Sequence, residues 1–586
     1  MSKSEHLNIS YPFGNQPYAF IDFFAGGGGA SEGIKQAIGR DPDIAINHDK
    51  VALSMHAANH LQTTHLDVDV FEHHPKSVAG DKKIIAWFSP DCTWHSNAKG
   101  KVLDRHSEHE KALKASMKGT KCVAQETNKA TRVRGLAWVA LGYAMATDME
   151  LFFLENVKEF KDWGPVMLTE GGEYIADSSM KGETYKAFVH CLTTGLDRNS
   201  SSLPEIREFL KTFLGDDYNE ERLFKGLGYK LESKLLKACD YGTPTTRERF
   251  YLIARKDGFP IVWPTPTHTK ENYRTIAECI DWSIPCPSIF DSSAEIKAKY
   301  GIRANRPLAE KTLKRIAKGI DRFVINAKEP FIMTNIHNNP ARGISEPLPT
   351  ILTGNHHALM VPYLQTYYGE NQSQDPRGQV LSEPVRTITA KGLRHGIVVP
   401  FLTECANGSS QRIFSAQEPM RTQVASTKGG HFALVSAFMA QHNLGNVGRS
   451  MVEPLSTITT TGSQQQLVSA QVQRWTSSLE NGVHFDMVET LLERFSELKK
   501  NGKYGIITID GIDYQIVDIG MRMLTPRELF RAQGFPENYI IEYDALGNGI
   551  TKTAQVRMCG NSVCPPVAKA LIEANYYSIT NTAKAA

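Results

Sequence analysis

The chain has 586 residues, 41% apolar and 22% charged, with 66 lysines and arginines against 63 acidic residues for a formal charge of +3. This composition excludes a disordered chain, and no run of about 18 apolar residues is present to span a membrane. Charge this close to neutral does not by itself mark a polyanion binder. Nine scattered cysteines, odd in number and never in a Cys-x-x-Cys pair, argue against a disulfide framework and a zinc ribbon and for a reducing cytosol. The segment from Met1 to His6 lacks the apolar core of a secretory signal, so a cytoplasmic location is expected.

The first ~290 residues alternate strand and helix, which predicts an α/β fold with a doubly wound, mostly parallel sheet. Tyr18 to Phe24 is a predicted strand, Gly26 to Gly29 a turn and Ser31 to Ile38 a helix start; a second strand, Ile44 to Ile46, leads into Asn47-His48-Asp49. A third strand spans Ile84 to Phe88, Leu136 to Ala146 is helix-like, and Leu151 to Leu154 is a fourth strand. Between Asn97 and Arg134 ten lysines and arginines face four acidic residues, the pattern of either a solvated helical face or a phosphate-contacting loop.

The texture changes near residue 328. Four related units begin at Glu346, Glu383, Glu418 and Glu453, each Glu-Pro followed by a Thr at the fifth position, at spacings of 37, 35 and 35 residues. Such a period predicts a tandem array of small units, and the Asn-, Gln-, His- and Arg-rich segments between them would serve as recognition loops or as ordinary polar connections. After about residue 470 mixed character returns: Phe485 to Lys500 reads as helix, Tyr504 to Ile509 and Tyr514 to Ile519 as strands, and Thr525 as the N-cap of a helix with Pro526 in its first position. The expected division is 1–325, 326–470 and 471–586, the last segment completing both preceding domains.

Several residues sit where chemistry is expected. Four glycines between a strand and a helix allow close backbone approach to a ligand, and Asn47-His48-Asp49 ends the second strand where a nucleoside-binding fold places a ribose partner. Cys92 follows the third strand at the carboxyl edge of the sheet, as a nucleophile or a structural thiol, with the carboxylate of Asp91 beside it. Glu155 ends the fourth strand, where desolvation would raise its pKa toward that of a proton donor. Arg247 and Arg249, two apart on an extended segment, point the same way and suit a phosphate, a base carbonyl or surface ion pairs.

These stretches resemble, in order and rough spacing, the motifs of the DNA (cytosine-5)-methyltransferase family: Asp22 to Gly29, Ser89-Pro90-Asp91-Cys92, Glu155-Asn156-Val157, Arg247-Glu248-Arg249, Leu524 to Glu528 with Gln533 to Pro536, and Gly560 to Val563. The resemblance covers about 20 to 260 and 520 to 575, and leaves the repeats where that family carries its target recognition domain. It implies a Rossmann-like catalytic domain that binds S-adenosylmethionine and methylates C5 of a flipped-out cytosine in double-stranded DNA through a covalent bond from Cys92 to C6. Glu155 would protonate N3, with Arg249 and Arg247 holding the pyrimidine. The cofactor would meet Asp22, Phe24, Ala25, Gly26, Gly28, Asn47, His48, Asp69, Val70 and Pro90, with Asn561 and Ser562 returning from the C-terminal segment. No metal is expected. A monomer is expected, in a bacterial cell, encoded by the host, a phage or a mobile element, with a restriction endonuclease for the same site as a partner.

The chain departs from the family pattern in places. Asp91 and Thr93 flank the cysteine where many members have Pro-Cys-Gln, and Asn47 stands where an acidic ribose ligand is usual, leaving Asp49 as a rival, as Asp67 is to Asp69. Thr245 replaces a common glutamine, and the segment 100–131 is longer than the usual loop. Two further functions share the motifs: methylation of RNA cytosine, and sequence-specific DNA binding without catalysis.

Overall fold

The computed structural model describes most of residues 18–321 and 484–583; 92–94, 96–101, 106–134, 169–172 and a few shorter stretches lie outside, and within 322–483 only strands are described. The first sheet is built from β1 (Tyr18–Phe23), β2 (Ile44–Asn47), β3 (Thr64–Asp67), β4 (Lys83–Phe88), β5 (Met149–Asn156), β6 (Lys230–Lys237) and β7 (Glu248–Arg255), in the order β3-β2-β1-β4-β5-β7-β6. The first five pair in parallel, and β7 runs antiparallel to both β5 and β6. This is the doubly wound Rossmann-like α/β arrangement that strand–helix alternation predicts. β3 is an edge strand that the sequence pattern does not reveal, since a four-residue segment with three polar residues carries little apolar signal.

Alternation along the strands sorts side chains into two core layers. Ile21, Phe23 and Phe88 join one layer with α3 (Trp138–Ala146), α4 (Glu183–Leu192) and α5 (Leu203–Leu214). Phe20, Trp87 and Phe153 join the other, against α1 (Gly29–Ile38) and the C-terminal α9 (Pro565–Ala583). Each fully buried Ile, Leu or Phe in these layers contributes about 1.5–3 kcal/mol.

The α1–α9 contact depends on glycine. A Cβ at Gly29 would lie 1.9 Å from Ser562 Oγ and 2.2 Å from the Val563 carbonyl oxygen, and one at Gly33 2.5 Å from Ala568 Cβ. Because a backbone carbonyl cannot rotate aside, Gly29→Ala is expected to cost about 1–3 kcal/mol by overpacking. A lowered urea midpoint checks this, and an unchanged midpoint contradicts it.

A second, eight-stranded sheet draws on three separate stretches of the chain. It contains β8 (Phe331–Thr334), β9 (Arg342–Gly343), β10 (His357–Met360), β11 (Leu434–Gln441), β12 (Gly448–Ser450), β13 (Gln465–Arg474), β14 (Ile506–Ile509) and β15 (Ile512–Met523). The four Glu-Pro units fall outside the described residues. The helix expected over Phe485 to Lys500 is α6 (Phe485–Phe495); Ser496 is already extended and Lys499–Lys500 form a strand. α7 (Pro526–Ala532) has the expected start: Thr525 caps Glu528 N, and Glu528 returns to Thr525 N in a capping box. Glu528 also forms a buried ion pair with Arg522, at 2.8 Å. α8 (Lys552–Asn561) then leads into α9.

Candidate active site

The carboxyl ends of β1, β4 and β5 lie side by side, with Phe23 in register with Phe88 and Phe88 with Leu154. β1 is also where strand order reverses, the place at which open α/β sheets bind ligands. The chain beyond β4 is held to both neighbours: Ser89 N donates to Phe23 O at 3.3 Å, and the buried Asn156 donates Nδ2 to Pro90 O at 3.1 Å. Asp91 is exposed; Cys92, with Thr93 and Trp94, lies outside the described residues, as does nearly all of the lysine-rich segment.

Glu155 is 6% exposed near the end of β5, opposite Tyr251 of β7, and the two arginines from the start of that strand approach its carboxyl. Arg249 Nε lies 3.3 Å from Glu155 Oε1 without the alignment of a hydrogen bond, and Arg247 Nη2 lies 4.0 Å from the same oxygen. Burial pushes the Glu155 carboxyl above its usual range; Arg249 and then Arg247 pull the other way and do not cancel it. Arg247 has a second contact, donating Nη1 to Gly560 O at 3.0 Å, which fastens the C-terminal segment to the edge of the sheet.

The turn after β1 is strained. Phe24 has φ 61°, the left-handed region that a bulky side chain rarely enters, and Ala25 N is held by Ile46 O at 3.1 Å. Gly26 and Gly28 also have positive φ. The side of Gly28 that a Cβ would occupy is filled by the Tyr539 hydroxyl at 2.1 Å, and that hydroxyl donates to Gly27 O at 2.7 Å. The requirement for glycine at Gly28 and Gly29 is therefore set by the protein's own C-terminal segment, and close approach of a ligand is not needed to explain it. Nothing in the sequence around Tyr539 signals this partner, which lies 512 residues away.

The remaining expected cofactor residues are placed unevenly. Asp49 is committed elsewhere: it caps α2 (Lys50–Asn59) through Val51 N and Ala52 N and pairs with Arg557. Asn47 accepts from Asp49 N at 2.9 Å, and its amide nitrogen has no partner among the described residues. Asp69 accepts from Phe71 N at 3.2 Å and Val70 is buried, whereas Asp67 pairs with Lys50 at 3.4 Å at the surface. His48 is exposed, as is Asn561; Ser562 is buried and donates to Val563 O at 2.9 Å. Asp22 is 1% exposed below the turn, with Oδ1 buried and without a hydrogen-bond partner among the described residues. An orphaned buried carboxylate oxygen, a strained aromatic residue and a donor amide at the end of β2 fit a cationic nucleoside ligand.

Among the described residues, no group of three His, Cys, Asp or Glu side chains could hold a metal ion. The six described cysteines are buried free thiols, four of them pushed up to about 12 by burial. Among the described residues, no helix is long and apolar enough to cross a membrane.

The family model for C-5 cytosine-specific DNA methylases matches residues 221–394 and 405–576, more than half of the chain. The chain belongs to this family. The methylase match takes in Arg247, Arg249, Asn561 and Ser562, while Asp22 to Glu155 precede it. The chain is 46% identical over 57 residues to the type II methyltransferase M1.HphI of Haemophilus parahaemolyticus, covering 10% of this chain and 15% of that protein. It is 35% identical over 79 residues to the type II methylase M.HgiDII of Herpetosiphon aurantiacus, covering 14% and 22%. The matched segment thus spans less than a quarter of the length of either relative. The crystal structure of the S. pombe Dnmt2 methyltransferase superposes with a TM-score of 0.39 at 13% identity, covering 96% of this chain and 99% of that one, too loosely to carry an argument.

Proposed function

We propose that this chain is a sequence-specific DNA methyltransferase that transfers a methyl group from S-adenosylmethionine to C5 of cytosine in double-stranded DNA. The observation that carries the reading is Glu155: a buried carboxyl with a raised pKa, flanked by two arginines, beside the Pro90-Asp91 segment that leads into Cys92. Cytosine C5 is a weak nucleophile until a group adds at C6. The Cys92 thiolate forms that bond as Glu155 gives its proton to N3. After transfer, loss of the C5 proton expels the thiolate. A stacked base hides C6, so the cytosine must be flipped into the site, where Arg249 and Arg247 hold it.

S-adenosylmethionine supplies the electrophilic methyl group when bound. Phe24, Ala25, Gly26, Asn47, Asp69, Val70 and Asp22 would surround it, with Pro90, Asn561 and Ser562 closing the far side. Residues 1–325 would be catalytic, 326–470 would read the target sequence, and 471–586 would complete both. A monomer in the bacterial cytoplasm, with a cognate restriction endonuclease, belongs to the same reading, whether a host or a phage encodes it.

The test is label transfer from methyl-tritiated cofactor by the purified chain to mixed-sequence duplex DNA and, separately, to transfer RNA. The expected result is 5-methylcytosine in DNA at one sequence context. Label in RNA alone would overturn the DNA assignment.

A further inference from the structure

Below the strained turn runs a chain of polar side chains that the proposed reaction does not use. Ser31 Oγ donates to Asp22 Oδ2 at 2.7 Å, His56 Nε2 lies 2.9 Å from Ser31 Oγ, and His56 Nδ1 lies 2.8 Å from His65 Nε2. Asp22, Ser31 and His56 are buried, while His65 on β3 is half-buried and forms the outer end. Donor and acceptor roles follow from one constraint. When Asp22 is ionised, the Ser31 hydrogen is committed to it, so His56 Nε2–H donates to Ser31 and His56 Nδ1 accepts from His65 Nε2–H. His65, whose ring also hydrogen-bonds the Thr63 backbone, is then the outer end of the chain. One proton added there, with each hydrogen shifted along one bond, puts a proton on Asp22 Oδ2; every contact survives and no heavy atom moves.

The inner end is unfinished. Asp22 Oδ1 is buried without a hydrogen-bond partner among the described residues, and no charged group among them acts on the carboxylate. Burial pushes Asp22 up to about 7 despite the Ser31 hydrogen bond, and burial with His60 and His65 nearby holds His56 well below its usual range. His65 is lowered to about 4, mainly by burial, so neither imidazole stores charge near neutrality. The charged neighbours are otherwise engaged. Asp41, ahead of β2, is held by Lys35 of α1 at 3.1 Å and by His60, just after α2, at 3.0 Å; Glu32 of α1 accepts from Gln36; Tyr539 spends its hydrogen on Gly27 O.

We propose that Ser31, His56 and His65 are positioning residues through which a cation bound at the glycine turn displaces a proton from Asp22. This rests on the S-adenosylmethionine reading, which supplies the cation as a sulfonium and an ammonium group. A cation favours the carboxylate and so lowers the Asp22 pKa on binding. Protons are therefore released between the bound-state value and about 7, and release fades at higher pH, where Asp22 is already ionised in the empty protein.

Calorimetric titration of the full chain with S-adenosylmethionine, in buffers of different ionisation enthalpy, reads this directly. The expected result is proton release that is largest on the acid side of neutrality and falls away as pH rises toward 8. Asp22→Asn should bind more weakly, having lost the carboxylate that the cation favours, and should release no proton. Ser31→Ala, which removes the bond that lowers Asp22, should move the midpoint of release to higher pH. With a pH-indicator dye in stopped flow, His56→Phe should slow release severalfold at unchanged amplitude. Wild-type binding with no release from pH 6 to 8 would overturn the proposal even if a variant fails to fold, as would an unmoved midpoint in Ser31→Ala or an unslowed rate in His56→Phe. Absence of cofactor binding at every pH would overturn the cofactor reading instead.

Discussion

Glu155→Gln is expected to slow methyl transfer by roughly 10²- to 10⁴-fold, the usual worth of a positioned proton donor. The side chain keeps its size, so cofactor affinity should hold, but an amide cannot deliver a proton to the ring nitrogen. The pH profile separates this role from a structural one. Burial raises the Glu155 pKa, so the acid form persists above the ordinary carboxylate range, and kcat/KM should decline as pH rises through the raised value. That limb should vanish in the variant. Arg249, 3.3 Å from the lost charge, and Arg247, 4.0 Å away, would remain buried beside a neutral group, so folding must be checked by circular dichroism. A folded variant within threefold of wild type would remove Glu155 from the mechanism.

Cys92→Ser is expected to reduce turnover to background, the largest loss of any single change. A serine hydroxyl does not ionise near neutrality and nothing in the described site would serve as its base. The neighbouring Asp91 ought to raise the thiol pKa and oppose activation, yet it is exposed, where solvent and salt screen its charge. A variant that retained turnover would show that C6 is attacked by something else.

Much of this was legible from residue order because it is local. Strand–helix alternation gives the sheet, an apolar strand ending in Glu155 gives a desolvated acid, and Thr525-Pro526 with Glu528 gives a capped helix start. Arg247 and Arg249 were placed on one side by strand geometry, and both do reach Glu155. What could not be read was contact across long separations. Tyr539 lies 512 residues from the Gly27 carbonyl it holds, and Arg557 lies 508 residues from Asp49, whose capping and ion pairing withdraw it as a ribose ligand. Gly29 looked like a ligand contact because its packing partner, Ser562, is equally distant. The histidine relay was hidden for a related reason: His56 and His65 meet only because α2 folds back over β3.

Duplex DNA carrying 5-fluorocytosine at the methylated position tests the central claim most directly. Fluorine at C5 cannot leave as a proton does, so a thiolate that has added to C6 stays attached after transfer. With S-adenosylmethionine present, the wild-type chain should form a covalent protein–DNA adduct that survives denaturing electrophoresis, and Cys92→Ser should form none. Failure of the wild type to form that adduct at a site it methylates, or its formation by Cys92→Ser, would contradict the account.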